Sequence, residues 1–144
     1  MIDDNCLREL QKITDGKGIE WTGKLTFLNQ QKVIVEKIDA IKHKLPKKLI
    51  HLAIAPTKSN DRFEFFIEKC IEIGISEITP LLCFHSERKT IKLERLKKIM
   101  ISACKQSKNF HFPKLNDLTP FNNIVNSKYN HKLIAHCADN QKWR

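Results

Sequence analysis

Glycine is scarce in this chain. Only Gly16, Gly18, Gly23 and Gly74 occur in 144 residues, and the one close pair sits in a turn. Neither G-x-G-x-x-G nor G-x-x-x-x-G-K-[ST] is present, so no loop is encoded that brings backbone amides against a nucleotide phosphate. Kinase, NTPase and dinucleotide-dehydrogenase readings fall away with that loop. Long hydrophobic runs are missing too: nothing approaches the roughly 18 apolar residues of a membrane span. The opening segment is too polar for a secretion signal. The sequence thus points to a cytoplasmic protein with no membrane association.

Paired cysteines are a third absence. Cys6, Cys70, Cys83, Cys104 and Cys137 are scattered, with no C-x-x-C among them. An odd, dispersed set suits reduced thiols acting as small core hydrophobes, and no disulfide framework, zinc site or other metal centre is expected. His136-Cys137 is adjacent and not ligand-spaced. Acidic residues are the minority: 16 Asp and Glu face 26 Lys and Arg, a formal net charge of +10. Such an excess raises the local concentration of polyanions, and nucleic acid is the usual beneficiary. A lysine-rich surface without a partner gives the same composition.

What is present is enough for a core: 41% apolar and 29% charged residues. The opening part reads as β. Lys12-Ile13-Thr14 leads into Asp15-Gly16-Lys17-Gly18, a tight hairpin. Ile19 to Leu28 alternates, and Lys32 to Ile38 is a β-branched strand. Two or three short strands cannot bury a core alone. Ala40 to Lys48, basic and interrupted by Pro46, reads as an exposed linker. The expected organisation is a small β unit with its linker over 1–47 and an α/β unit over 48–144.

From Leu49 the pattern alternates. Leu49 to Ala55 predicts a strand buried on both faces. Ser59 or Asn60 then caps a helix whose apolar face is Phe63, Phe66, Ile67, Cys70 and Ile71, closing at Gly74. Glu77 to Leu82 is a second strand. A second amphipathic helix follows from about Ile91 to Ser107, burying Leu93, Leu96, Ile99, Met100, Ala103 and Cys104. Pro113 and Pro120 bracket irregular chain, and Lys132 to His136 reads as a third strand. This order predicts a mainly parallel sheet, whose ligands bind at the carboxyl ends of the strands.

Three segments carry polar residues that packing does not explain. In Pro56-Thr57-Lys58-Ser59-Asn60-Asp61-Arg62, Lys58 and Arg62 flank a helix N-terminus suited to a phosphate; an ordinary capped helix with solvent ion pairs is the plainer reading. His85-Ser86-Glu87-Arg88-Lys89 follows the second strand, where binding loops concentrate, or is a solvated loop. Lys105 to Pro113 interleaves Lys105, Gln106, Lys108, Phe110 and Phe112, which suits RNA backbone contact and base stacking. Phe110 and Phe112 equally suit a core.

Together these segments resemble the 16S ribosomal-RNA uridine-N3 methyltransferases, the RsmE family of the knotted SPOUT superfamily. That family carries a lysine, then Asp-Arg, then Glu-Lys-x-x-Glu-hydrophobic-Gly; here stand Lys58, Asp61-Arg62, Glu68-Lys69 and Glu72-Ile73-Gly74. It continues with a strand ending near proline, Ser-Glu-Arg, and a helix ending Ala-x-x-Gln-Ser; here those are Pro80, Ser86-Glu87-Arg88, and Ala103 with Gln106-Ser107. Thr14 to Gly18 resembles the hairpin of the family's PUA-like barrel, of which only Cys6-Leu7-Arg8 resembles the usual start. Leu133 to Cys137 resembles the strand before its cofactor region. The family's Gly-Pro-Glu-Gly-Gly loop and Leu-Arg-x-Glu-Thr-Ala segment have no counterpart. Asn109 and His111 stand where arginines are frequent.

The resemblance implies an incomplete PUA-like β domain followed by a SPOUT-type α/β sheet that stops before the knot. It implies methyl transfer from S-adenosylmethionine to N3 of a uridine in 16S rRNA of the 30S subunit, by a homodimer in which the Arg62 to Gly74 helix faces the partner. Arg88 is then the candidate for stabilising the uracil anion, Glu87 for the base, and Gln106 for orienting the uracil edge; Lys58, Arg62, Lys105 and Lys108 would hold RNA. With its donor loops missing, the 144-residue chain is expected neither to bind S-adenosylmethionine nor to methylate RNA alone. The alternative is a non-catalytic RNA-binding module, a truncated relative.

Overall fold

Asp15 locks the turn at Gly16 and Gly18. In the computed structural model, which describes residues 10–29 and 31–135, its carboxylate accepts from the Lys17 and Ile19 amides at 2.7 and 3.2 Å. The Lys17 amide foremost holds that carboxyl below its ordinary range. The hairpin joins β1 (Leu10–Thr14) to β2 (Ile19–Leu28), and β3 (Val33–Lys42) pairs along the other edge of β2, all antiparallel. β3 therefore extends through Lys42, into what the sequence reads as linker. The sheet buries Leu25 and Glu20 but leaves Val33, Ile34, Ile38 and Ile41 exposed, as three short strands must.

The second sheet is parallel. β4 (His51–Ile54) pairs with β5 (Glu77–Leu82), and the far edge of β5 carries β6 (Lys114–Leu115) and then β7 (Thr119–Pro120). Between β4 and β5 runs α1 (Asn60–Glu72); between β5 and β6 runs α2 (Leu93–Ser107); α3 (Phe121–Val125) closes the described order. Ser59 is the N-cap of α1, its hydroxyl accepting from the Arg62 amide, and Gly74 follows the helix with φ +84°. A left-handed residue there turns the chain back toward the sheet at little cost, because glycine has no Cβ.

The helices pack on each other and on β5. Phe63, Ile67, Cys70 and Ile71 of α1 meet Leu96, Ala103 and Cys104 of α2 around Ile75 and Ile78. Each large aliphatic side chain buried here contributes about 2 kcal/mol by removal from water. Burial also pushes the Cys104 thiol up to about 11 and raises that of Cys70, as expected for cysteines that serve as hydrophobes. Cys6, Cys137 and the Cys6-Leu7-Arg8 match lie outside the described residues.

Three expectations need correction. Residues 132–135 form no strand; Leu133 and Ile134 are 83% and 68% exposed. Both edges of β5 are taken, one by β4 and the other by β6 and β7, and among the described residues nothing pairs with the outer edge of β4. His136, the last residue of that expected strand, lies outside the described residues. The chain between Pro113 and Pro120, read as irregular, contains β6 and β7. The Leu49 to Ala55 strand shortens to His51–Ile54 and is half-buried throughout, since β4 is an edge strand.

The two sheets are tied together by one seam. Gly18 donates its amide to the Phe110 carbonyl and Phe112 donates to the Gly16 carbonyl, both at 2.8 Å. The His43 ring stacks on Phe110, and a His111 ring nitrogen meets the His43 carbonyl oxygen at 3.1 Å.

Candidate functional site

Because β4 and β5 are parallel, the loops leaving them emerge at the same, carboxyl edge of the sheet. The first loop carries Lys58 into the start of α1; the second carries Glu87 and Arg88 toward α2. Arg88 joins them. Its guanidinium donates to the Asn60 side-chain oxygen and to the Lys58 carbonyl. The polar segments after β4 and after β5 are thus one constellation, held by a planar fork that lysine could not reproduce. Glu87 lies 3.9 Å from the Lys58 ammonium, with side chains 63% and 84% exposed. An ion pair so open to water contributes little to stability, so both groups stay available to a ligand.

Beneath Arg88 lies a small cleft of about 20 Å3 among Asn60, Phe63, Ile91 and Leu96. Its wall is fixed by a two-pronged pair across the helices: Arg95 meets the Glu64 carboxylate through Nε at 2.6 Å and Nη2 at 2.9 Å. The hydrogen bond that Arg95 donates to Glu64, more than the Glu64 charge, raises the Arg95 guanidinium further. Of the solvent ion pairs expected on this helix, Lys69 does pair with Glu72 at 2.7 Å, whereas Glu64 clamps α1 to α2. Arg62 is exposed on the first turn of α1, on the same edge as Lys58.

The third segment lies elsewhere. α2 begins beside Arg88 and runs back for 15 residues, roughly 22 Å of helix. Lys105, Gln106 and Lys108 are exposed, at the amino edge of the sheet, away from Arg88. Phe110 and Phe112 are not free stacking platforms. Phe110 is covered by His43 at 3.8 Å between ring centroids, and Phe112 packs so closely on Gly16 that a Cβ there would lie 2.7 Å from its ring. The structure therefore brings Lys58, Arg62, Glu87 and Arg88 to one edge and leaves Lys105, Gln106 and Lys108 at the other. Sequence reasoning missed Asn60 as the anchor of Arg88. Its position between Lys58 and Arg62 was the signal available, but as a potential N-cap it already had a sufficient explanation.

The RNA methyltransferase domain family matches residues 43–144, most of the chain. Ribosomal RNA small subunit methyltransferase E of Buchnera aphidicola is 33% identical over 125 residues, 82% of this chain and 47% of its own length. The chain belongs to the RsmE family. The Mesomycoplasma hyopneumoniae protein of the same name is 36% identical over 88 residues, covering 58% of this chain and 37% of that one. A Legionella pneumophila protein assigned as a methyltransferase, solved in complex with S-adenosylmethionine, superposes with a TM-score of 0.83 at 26% identity over 95% of this chain and 60% of that one. A probable rRNA-methyltransferase of Porphyromonas gingivalis gives 0.77 at 33% identity, over 84% and 51%. The chain spans about half the length or less of the curated relatives it matches. S-adenosylmethionine is the cofactor of the RsmE family, and the antiparallel sheet followed by a parallel α/β sheet is its fold.

Proposed function

We propose that this chain is the RNA-holding part of a 16S rRNA methyltransferase, acting on N3 of a uridine in the small subunit. The observation that carries the reading is the Arg88 bridge to Asn60 and Lys58 at the carboxyl edge, in a chain of the RsmE family. The cleft under Arg88 does not itself fit the methyl donor; a larger cavity, of about 670 Å3, lies at the opposite edge beside Ile50, Gly74 and Phe112. A cleft of about 20 Å3 admits roughly one water. Of the four glycines, Gly16, Gly18 and Gly23 are already packed against Phe112, His111 and Val35. Gly74 is open but lies after α1, at the opposite edge. No step is therefore assigned to the donor, and the chain is read as inactive alone.

What these residues do concerns the acceptor. Uracil N3 attacks only after losing its proton, so the site must favour an anion. Arg88 uses two prongs on Asn60 and Lys58 and keeps further N–H donors, already oriented, for a uracil oxygen. Glu87 is the carboxylate nearest to that position in sequence and stands beside Lys58, where it would take the proton. Lys58 and Arg62 hold the RNA backbone on the same edge, with Lys105 and Lys108 as a second contact along the molecule. Gln106 can orient a uracil held by Arg88 only across a contact between two copies. The homodimer enters the reading there, and exposed Phe65 on α1 and Ile73 just after it support it. Among the described residues no helix is long and apolar enough to cross a membrane.

The test is binding of this 144-residue chain to a 16S rRNA fragment across a salt series. Affinity should fall with a log-log slope of several units; no binding at low salt by folded protein would overturn the reading. The small cleft favours one second reading, RNA binding without chemistry. Methyl incorporation into 30S subunits by the complete protein decides between the two.

A further inference from the structure

Phe84 is 96% exposed, the most open large hydrophobic residue described. Single exposed apolar residues are ordinary, so exposure alone carries nothing. Its presentation is what sets it apart. The chain leaves β5 into a four-residue turn closed twice: Ser86 donates its amide to the Cys83 carbonyl at 3.1 Å, and the Ser86 hydroxyl accepts from the Cys83 amide at 2.9 Å. Phe84 and His85 are the two central residues, so the closed turn holds both rings at its tip. The rings meet edge to face, 4.8 Å between centroids and 88° between planes. His85 therefore buttresses Phe84 on one side only, and at 96% exposure a ring face stays free.

The same loop continues into Glu87, Arg88 and Lys89, and Arg88 ties it to the Lys58 segment. A fixed aromatic face beside exposed cations is the combination by which proteins hold unpaired nucleic acid: cations track the phosphates while a base lies on the ring. We propose that the Cys83–Ser86 turn is a base-stacking site, in which the free face of Phe84 receives an unpaired RNA base while Lys58 and Lys89 take the adjoining phosphates. Phe84 has no hydrogen-bonding group, so the site accepts any base and selects for unpaired strands. This inference rests on the RNA reading above and adds to it a ligand class and a residue that charge alone would not select.

The test uses the 144-residue chain and two single-stranded RNAs of about ten nucleotides, a length one such site covers. One carries its bases, with a 2-aminopurine at the centre; the other carries abasic riboses throughout. Wild type should bind the base-bearing strand more tightly and quench its fluorescence. Phe84→Ala should weaken that strand roughly five- to hundredfold, abolish the quenching, and leave the abasic strand unchanged. Phe84→Tyr should restore both, and Lys58→Ala should weaken the two strands alike. The site is overturned if Phe84→Ala binds the base-bearing strand as wild type does, or loses both strands equally. It is also overturned if the substitution changes only self-association in sedimentation, which would make the turn a protein contact. If wild type binds neither strand at low salt, the RNA reading fails with it.

Discussion

His43 lies flat on Phe110, with ring centroids 3.8 Å apart and planes within 8° of parallel. The same imidazole meets Glu20, whose second oxygen pairs with Lys12 at 2.8 Å. Hydrogen bonds from Lys12 first, then His43, hold the Glu20 carboxyl below its ordinary value of 4.5. A carboxyl depressed in the folded state is protonated first in the unfolded chain as pH falls. The stabilisation from Glu20 is therefore fully present above about pH 4.5 and is lost as pH drops through the folded value. Melting temperature followed from about pH 6 to pH 3 should fall more steeply for wild type than for Glu20→Gln. Parallel curves would mean that Glu20 does not couple protonation to the seam.

Gly18 and Gly74 should answer differently to the same substitution. Both have positive φ, +96° and +84°. A Cβ at Gly18 would lie 2.1 Å from the His111 ring, whereas nothing lies within 4 Å at Gly74. His111 cannot swing away without losing its contact with the His43 carbonyl. Gly74→Ala should cost about 1 kcal/mol, the left-handed penalty alone. Gly18→Ala should cost about 2 to 4 kcal/mol, with overpacking added. Urea denaturation of the two variants compares them directly.

Lys108 ends α2 in the left-handed region with φ 54°. The Asn109 amide returns to the Cys104 carbonyl at 2.9 Å, the wrap that usually places glycine at this position. Lys108→Gly should raise stability by about 0.5 to 1 kcal/mol, a shift of a few degrees in melting temperature. Lys108→Ala should show no gain, because it keeps the Cβ that makes the conformation costly.

Arg88 separates the roles of binding and chemistry. In the complete protein, Arg88→Ala should lower the methylation rate far more than RNA affinity, the pattern of an interaction made chiefly in the transition state. Arg88→Lys should not rescue the rate, since an ammonium cannot bridge Asn60 and the Lys58 carbonyl while offering further donors. Equal loss of rate and affinity would reduce Arg88 to a phosphate contact.

The long helices and β5 were legible because each carries its own periodicity: Phe63, Ile67, Cys70 and Ile71 announce a buried face before any partner is known. The antiparallel sheet was legible from the Asp15 to Gly18 turn. The two-residue strands β6 and β7 were not, since Lys114–Leu115 and Thr119–Pro120 are strands only because the edge of β5 is beside them. At the site, the meeting of Lys58 with Arg88 follows from two parallel strands and was foreseeable as an edge. The Asn60 anchor was not, because it joins residues 28 positions apart. The amide-to-carbonyl seam likewise uses backbone atoms, on which side-chain patterns are silent.

That seam also sets an order of events in time. The turn at Gly16 and Gly18 finds its hydrogen-bonding partners at Phe110 and Phe112, roughly ninety residues later. At ribosomal speeds of about 5 to 20 residues per second, the finished hairpin waits roughly 5 to 20 seconds for them. Throughout that interval the three-stranded sheet has only itself, with Ile34, Ile38 and Ile41 open. The three-stranded sheet is thus made well before the residues that secure it.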